Sequence, residues 1–402
     1  MHKLIHASNR PRVRLAIVTS HPIQYQAPVF RELAARCDLT VFFAHRATPG
    51  DQGAAGFGVD FDWDVDLLTG YKHVFLNNVA VEPDLGHFSG CDTPEILGRL
   101  RDGAFDAVLI CGWHFKALVQ ALYAAKRLRL PALARGDSQL QTPRTMWKRG
   151  IKSATYPLLL RMFDAALYVG ERSRAYWRHY AYPQNRMYFS PHCIDTEWFA
   201  ARATPRARVT LRGRLGIDEA VKVILFAGKL VEFKRPLDVI AAAARMRRDG
   251  AMAHVLVAGS GPLADEMLGA AAASYVPLHL LGFCNQTEMP AAYAASDILV
   301  LPSEGSETWG LVANEALACG TPIVVSAAAG CAPDLAGDGA VGRVFATGDT
   351  NALSVALADM LRNPPSAAAI ASKSAAYSLA AAADGIMEAA LTLSARRWSA
   401  VL

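Results

Sequence analysis

The chain has 402 residues, of which 52% are hydrophobic and 19% charged; that is enough for two domains with sizeable cores and excludes a disordered chain. Its seven cysteines (37, 91, 111, 193, 284, 319, 331) are odd in number, scattered and without a C-x-x-C, and the histidines do not space with them as zinc ligands do, so neither a disulfide framework nor a structural zinc site is expected. The net charge of +5 is concentrated in the first half: residues 1–200 hold 24 Lys+Arg against 18 Asp+Glu, residues 201–402 hold 17 against 18, and 126–186 alone hold 13 against 3.

The opening, MHKLIHASNRPRVRLAIVTS, is broken by Pro and Arg and runs into a strand pattern, so it does not read as a secretory signal. No run reaches the roughly 18 to 20 apolar residues of a membrane span. The expectation is a cytoplasmic protein. Along the first half, RLAIVTS, DLTVFFA, DAVLICG, LPALARG and DAALYVG are short apolar runs, with helical patterns such as PEILGRLRDG and ALVQALYAAKRLR between several of them. DFDWDVDLL places Asp60, Asp62, Asp64 and Asp66 two apart. This can be read as a D-x-D metal motif or as one carboxylate face of a solvent-exposed edge strand, and the second reading is preferred. The basic stretch includes TMWKRGIKSATYPLLLRMF, 145–163, where Lys148, Arg149, Lys152 and Arg161 stand beside Trp147, Tyr156, Leu158, Leu159 and Leu160. Such a stripe is either a solvated helix face or a site for an anionic partner, an anionic membrane surface included. No nucleic-acid module with interleaved aromatics accompanies it.

Residues 191–220 are Arg-rich without a long apolar run, and the linker is placed at 201–220. Beyond it VKVILFAG, AHVLVAG, VPLHLLG, DILVLPS and TPIVVS alternate with helical segments. Near-continuous apolar strands separated by helices mean parallel sheets covered on both faces. The expected division is a first α/β domain over 1–200, a second over 221–375, and an Ala-rich helix over 376–402 that packs back on the first. Two doubly wound, Rossmann-like domains so arranged would face each other across a cleft.

The second half carries the motifs. Gly259-Ser-Gly261-Pro-Leu-Ala264 has the form of a dinucleotide fingerprint, but it follows the second strand of its domain, and no acidic residue ends the next strand. A tight backbone turn near part of a nucleotide is the better reading. GKLVEFKRP puts Lys229 and Lys234 after the first strand, where two ammonium groups suit a pyrophosphate. In SETWGLVANEALACGTPIV, seven residues separate Glu307 from Glu315 across a strand–loop–helix junction. Backbone N–H groups near Gly310 would take an anion, and the two carboxylates would hold hydroxyls at its two sides. A sugar, a pyrophosphate and a ribose in that order describe a nucleotide sugar.

Over residues 221–330, PS-x-x-x-E-x-W-G-L-V-x-x-E-A-L-A-C-G-T-P-I-V, GKLVEFK, VAGSGPL and LLGFCNQTEMPAAYAASDILVLPS together resemble the donor domain of the retaining family 4 glycosyltransferases, which have the GT-B fold. The first half, with VGERSRAYW and PHCIDTEWF, is similar more loosely. The resemblance implies that Lys229 and Lys234 contact the donor diphosphate. Glu307 would hold the transferred sugar, with Thr308, Trp309, Gly310 and Leu311 at the phosphate and sugar. Glu315 would hold the ribose, and Gly259, Gly282 and Phe283 would lie at the base. It also implies transfer with retention, no metal or other cofactor, and a glycan, lipid-linked or small-molecule acceptor, in cell-envelope or polysaccharide synthesis, at most peripheral on the inner face of the membrane.

The chain departs from the family in places. Lys229 stands where Arg is common, SHPIQYQAP replaces a glycine-rich turn, and Arg135 and Asp137 stand where many members carry a His. His21, Gln24, Tyr25, His114, Arg135 and Asp137 are therefore the expected acceptor-side residues. The rival readings are a GT-B-like nucleotide-sugar epimerase or phosphorylase, and a non-catalytic sugar-nucleotide-binding protein.

Overall fold

A computed structural model describes residues 12–54 and 58–399; the opening segment 1–11 and the last three residues lie outside it. The strands in chain order are β1 (Arg14–Thr19), β2 (Asp38–Phe43), β3 (Lys72–Phe75), β4 (Ala107–Ile110), β5 (Ala132–Gly136), β6 (Ala165–Tyr168), β7 (Met187–Phe189), β8 (Lys222–Ala227), β9 (Ala253–Ala258), β10 (Leu278–Leu280), β11 (Ile298–Leu301), β12 (Ile323–Ser326) and β13 (Gly342–Phe345). They form two sheets, ordered β3-β2-β1-β4-β5-β6-β7 and β10-β9-β8-β11-β12-β13. Every strand pairing within them is parallel. The ten strands expected from the apolar runs are all present, and β3, β7 and β13 join them at sheet edges.

Alternation along each strand feeds two cores per sheet. In β1, Ala16 and Val18 pack on one face, while Leu15 and Ile17 pack on the other. The second of these faces is covered by the helix Leu379–Ser399, whose Ala382, Ala383, Ile386, Ala389 and Ala390 lie in one cluster with Leu15, Ile17 and Leu109. The small alanines let this helix approach closely, and Ser190 Oγ donates to the Ala382 carbonyl at 2.9 Å. The chain thus returns to its first domain after completing the second.

Two expectations are corrected. Residues 201–220 are not a connector. They contain the helix Pro205–Leu215, capped by Thr204, which packs on the helix Met289–Ala295 of the second domain. The arginines that made the stretch look solvated include Arg212, which is fully buried. Its guanidinium donates to the carbonyls of Ala295, Asp218 and Val221 and pairs with Asp297 at 2.9 Å. Nor is FDWDVDLL an edge strand: residues 61–70 form an irregular loop. Asp66 accepts from the backbone of Leu68 and Thr69, and Asp64 reaches the other domain. The alternation carried polar contacts of a loop rather than one face of a sheet.

In each sheet the strand order reverses beside the first strand, between β1 and β4 and between β8 and β11. Ligands bind beyond the strand ends at such a reversal. The loops that matter are therefore 20–26 and 111–115 in the first domain, and 228–235 and 302–311 in the second.

Candidate functional site

The two second-domain loops bring the sequence candidates together. Lys229 follows β8, and Lys234 lies on a short turn, Glu232–Lys234. Lys234 forms an ion pair with Glu307 from the loop after β11. Ser303 Oγ donates to the same carboxylate at 3.1 Å. Burial, followed by the nearby Lys234 charge, lowers the Lys229 pKa, while Glu307 draws it back up. Two ammonium groups and one carboxylate thus share a partly desolvated corner. Next to it, Arg235 holds Asp238 and, at 3.0 Å, Glu304, fixing the base of the loop.

Gly310 turns the chain into the next helix at φ +100, a backbone state that side chains rarely adopt, and a Cβ there would overlap Leu301. Because of this turn the helix Val312–Ala318 starts only after Leu311, and Glu315 sits in its first turn. Tyr293 Oη donates to Glu315 at 2.6 Å. Burial pushes the Glu315 carboxyl up to about 7, against the pull of that hydrogen bond. Trp309 is buried, and its indole donates to Asn314 Oδ1 at 2.8 Å. Trp309 is thus a support for the loop.

The glycines of VAGSGPL have a packing reason. At Gly259 a Cβ would overlap the Gly228 carbonyl. Gly259 N–H donates to the Gly282 carbonyl at 2.8 Å, and Leu230 N–H donates to the Ser260 carbonyl at 2.8 Å. Close approach of three loops, rather than a dinucleotide turn, accounts for them. Phe283, beside Gly282, lies 4.5 Å ring to ring from Phe61 of the first domain.

The first-domain loops surround a cavity of about 830 Å³. His21, Tyr25, His114, Arg135 and Asp137 line it; Gln24 does not, and Gln26 takes that place, accepting from Thr19 Oγ1 at 3.1 Å. Burial, with His45 nearby, takes His21 down to about 4, so it is a neutral imidazole at pH 7. Arg135 is turned toward the domain junction, donating to Ser190 Oγ at 3.0 Å and the Pro191 carbonyl at 2.7 Å. Burial opposes ionisation of Asp137, but His192 and the Thr308 hydroxyl outweigh it and hold the carboxyl well below the usual range.

Asp137 joins the two halves. It accepts from Thr308 Oγ1 at 2.6 Å, and Gln139 donates to the carbonyls of Gly305 and Glu307 at 3.0 and 2.8 Å. His192 lines the cavity, packs 5.6 Å from both Tyr25 and Trp309, and lies 3.6 Å from Asp137. Tyr293, Gln139 and His192 carry the site's geometry but were not singled out from sequence. Among the described residues no group of three or more metal-ligating side chains forms a metal site, the Asp60–Asp66 loop included.

Residues 208–376 match the model of glycosyl transferases group 1. A D-inositol 3-phosphate glycosyltransferase of Geodermatophilus obscurus is 32% identical over 224 residues, 53% of this chain and 47% of that protein. One of Mycobacterium avium is 30% identical over 272 residues, 64% and 59% of the two chains. The chain thus spans about half the length of the curated relatives it matches. The crystal structure of Anabaena Alr3699/HepE in complex with UDP superposes with a TM-score of 0.70 at 17% identity, over 94% of this chain and 99% of that one. The two parallel-sheet domains have the GT-B fold, and residues 208–376 are similar to the glycosyl transferases group 1 family.

Proposed function

We propose that the chain is a retaining glycosyltransferase that moves a sugar from a nucleotide-sugar donor to a glycan or lipid-linked acceptor in envelope or polysaccharide synthesis. The observation that carries this reading is the corner of Lys229, Lys234 and Glu307 at the β8/β11 reversal, joined through Thr308 and Asp137 to the first-domain cavity. The names of the curated relatives and the UDP held by the Anabaena structure support it.

In this reading the donor diphosphate lies against Lys229 and Lys234. Glu307 exchanges part of its ion pair for sugar hydroxyls, and Glu315 with Tyr293 takes the ribose. The bond from the anomeric carbon to the phosphate oxygen breaks. The acceptor oxygen bonds to that carbon from the same face, and its proton passes to the departing phosphate oxygen. The lysines stabilise the charge that develops there. Neutral His21 and Tyr25 orient acceptor hydroxyls, and closure across the Asp137–Thr308 contact excludes water that would hydrolyse the donor. No divalent metal is needed, since the ammonium groups neutralise the diphosphate. The exposed basic and apolar face of the helix Met146–Arg161 supports a peripheral position on an anionic membrane.

The deciding experiment offers UDP-, GDP- and ADP-sugars with excess EDTA and reads nucleotide release, thermal shift and the anomeric configuration of the product. Release with one base class and a retained anomer are expected. No release and no thermal shift with any donor would end the reading; activity only with added manganese or magnesium would end its metal-free form.

A further inference from the structure

Arg144 and the helix Met146–Arg161 close one end of the first-domain cavity, and Arg144 and Lys152 both line it. Among the described residues neither is paired with a carboxylate. Lys152 Nζ instead donates to Tyr176 Oη at 3.2 Å and stands 4.3 Å from the centre of the Tyr156 ring. The other charged groups of the cavity are engaged. Arg135 holds Ser190 and Pro191, Asp51 holds His45 and Thr48, Asp84 holds His87, and Asp137 holds Thr308. Burial, followed by the Arg144 charge, takes the Lys152 ammonium down to about 8. Two cations without a carboxylate partner among the described residues therefore line a cavity whose carboxylates already hold other partners, an arrangement that an incoming anion relieves.

This end of the cavity is also close to the donor side along the chain. Ser138 lines the cavity, while its neighbours Asp137 and Gln139 bond the donor loop at Thr308, Gly305 and Glu307. An acceptor anchored at the cationic end can present a hydroxyl toward Asp137 and Thr308.

We infer that the acceptor carries an anionic group, a phosphate or a carboxylate, seated by Arg144 and Lys152. The word acceptor rests on the glycosyltransferase reading; the anion site itself does not. The first test therefore uses no donor: calorimetry of the full chain with a hexose 6-phosphate, a hexuronate and the neutral hexose, and separately with UDP.

The phosphate or the uronate is expected to bind at least tenfold tighter than the neutral hexose. Lys152→Met and the more exposed Arg144→Gln should each remove most of that difference and leave UDP affinity within twofold. The uronate arm separates a carboxylate from a phosphate ligand, and an octyl phosphate arm separates a lipid-borne phosphate from a soluble one. If neither anion gains over the neutral sugar, or if Lys229→Met abolishes the gain and Arg144→Gln does not, the cationic end is not the anion's seat. UDP binding without anion selectivity overturns this inference alone; anion selectivity without UDP binding overturns the donor reading alone.

Discussion

Glu307 and Glu315 are both carboxylates beside the proposed donor, yet their surroundings differ. Glu307 is held by Lys234 and Ser303, so its charge is matched before any ligand arrives. Among the described residues Glu315 has only the Tyr293 hydroxyl, and burial raises its pKa to about 7. A lost charge-assisted hydrogen bond is worth about 1.5–3 kcal/mol, or roughly 10- to 150-fold. Glu315→Ala is accordingly expected to raise the donor KM by that factor. Glu307→Ala should instead lower kcat, because it orients the reacting sugar and positions Lys234. Steady-state kinetics of both variants decide this, and wild-type values in either would remove that glutamate from the site.

Glu315 also predicts a pH effect on stability. A carboxyl whose folded pKa lies above its unfolded value of 4.5 binds its proton more tightly in the folded state, so stability falls as pH rises from 4.5 to about 7. The loss is at most about 3 kcal/mol. Glu315→Gln should therefore match the wild type near pH 4 and exceed its melting temperature at pH 8. Equal melting temperatures at pH 8 would show that the buried charge costs nothing. The two glutamates and two lysines were legible in sequence because they follow apolar strands at fixed spacing. Tyr293 was not, since it reads as one more apolar residue of AAYAA until the fold sets it against a residue 22 positions on.

At the level of elements, sequence reading found the strands buried on both faces but missed three of the four at the rim, β10 within VPLHLLG being the exception. β3 is KHVF, β7 is MYF and β13 is GRVF, three or four residues each, and all three sit at sheet edges. Half-exposed strands need no continuous apolar run, so the signal that revealed β8 or β12 was missing. Arginine misled for a related reason: charge was taken as exposure. Arg212 is 0% exposed and ties Pro205–Leu215 to Asp297 and several carbonyls. Removing one partner of a buried pair costs about 3–5 kcal/mol. Arg212→Ala should lose stability on that scale in denaturant unfolding, and the exposed Arg214→Ala of the same helix should change it by less than about 0.5 kcal/mol. Equal effects would return the segment to the status of a linker.

For the helix Met146–Arg161 the sequence left a solvated face and an anionic-membrane face both open, and the fold redraws that face. Leu160 is buried in the core, Tyr156 and Leu159 pack against it, and Lys152 lines the cavity. What remains outward is Trp147 at 63% and Leu158 at 73% exposure, with Met146 and Ile151, beside Lys148 and Arg149. Each cation near an anionic surface is worth about 1 kcal/mol, so the attachment should be weak and salt-sensitive. Co-sedimentation with vesicles of rising anionic content should show binding that fades in high salt and with Trp147→Ala. No binding at any composition would leave the face without a lipid role.

At the scale of the whole molecule, two polar seams join the domains. One is formed by Asp137 and Gln139 against residues 305–308, reinforced by Asp334, which accepts from Glu171 N–H at 3.1 Å across the junction and from Tyr377 Oη at 3.1 Å. The other is more exposed. There Asn285 Nδ2 donates to the Asp62 carbonyl at 2.7 Å, and the Thr287 hydroxyl donates to Asp64 alongside the Thr287 N–H, beside the Phe61–Phe283 contact. Hydrogen bonds rather than a wide apolar interface hold this second seam, so it can open without exposing a core. A donor must enter before closure, and water must be excluded after it. Each exposed hydrogen bond contributes about 0.5–1.5 kcal/mol, so losing two shifts the closed state's population by roughly 5- to 150-fold. The double variant Asn285→Ala, Thr287→Ala is therefore expected to open more often. Donor hydrolysis without acceptor should rise relative to transfer, and a fluorophore pair spanning the two domains should report a larger mean separation. Melting temperature should barely move, because neither residue contributes to a core. An unchanged hydrolysis-to-transfer ratio together with an unchanged separation would mean that the outer seam is a passive contact and that closure is governed by the inner seam of Asp137, Gln139 and Asp334.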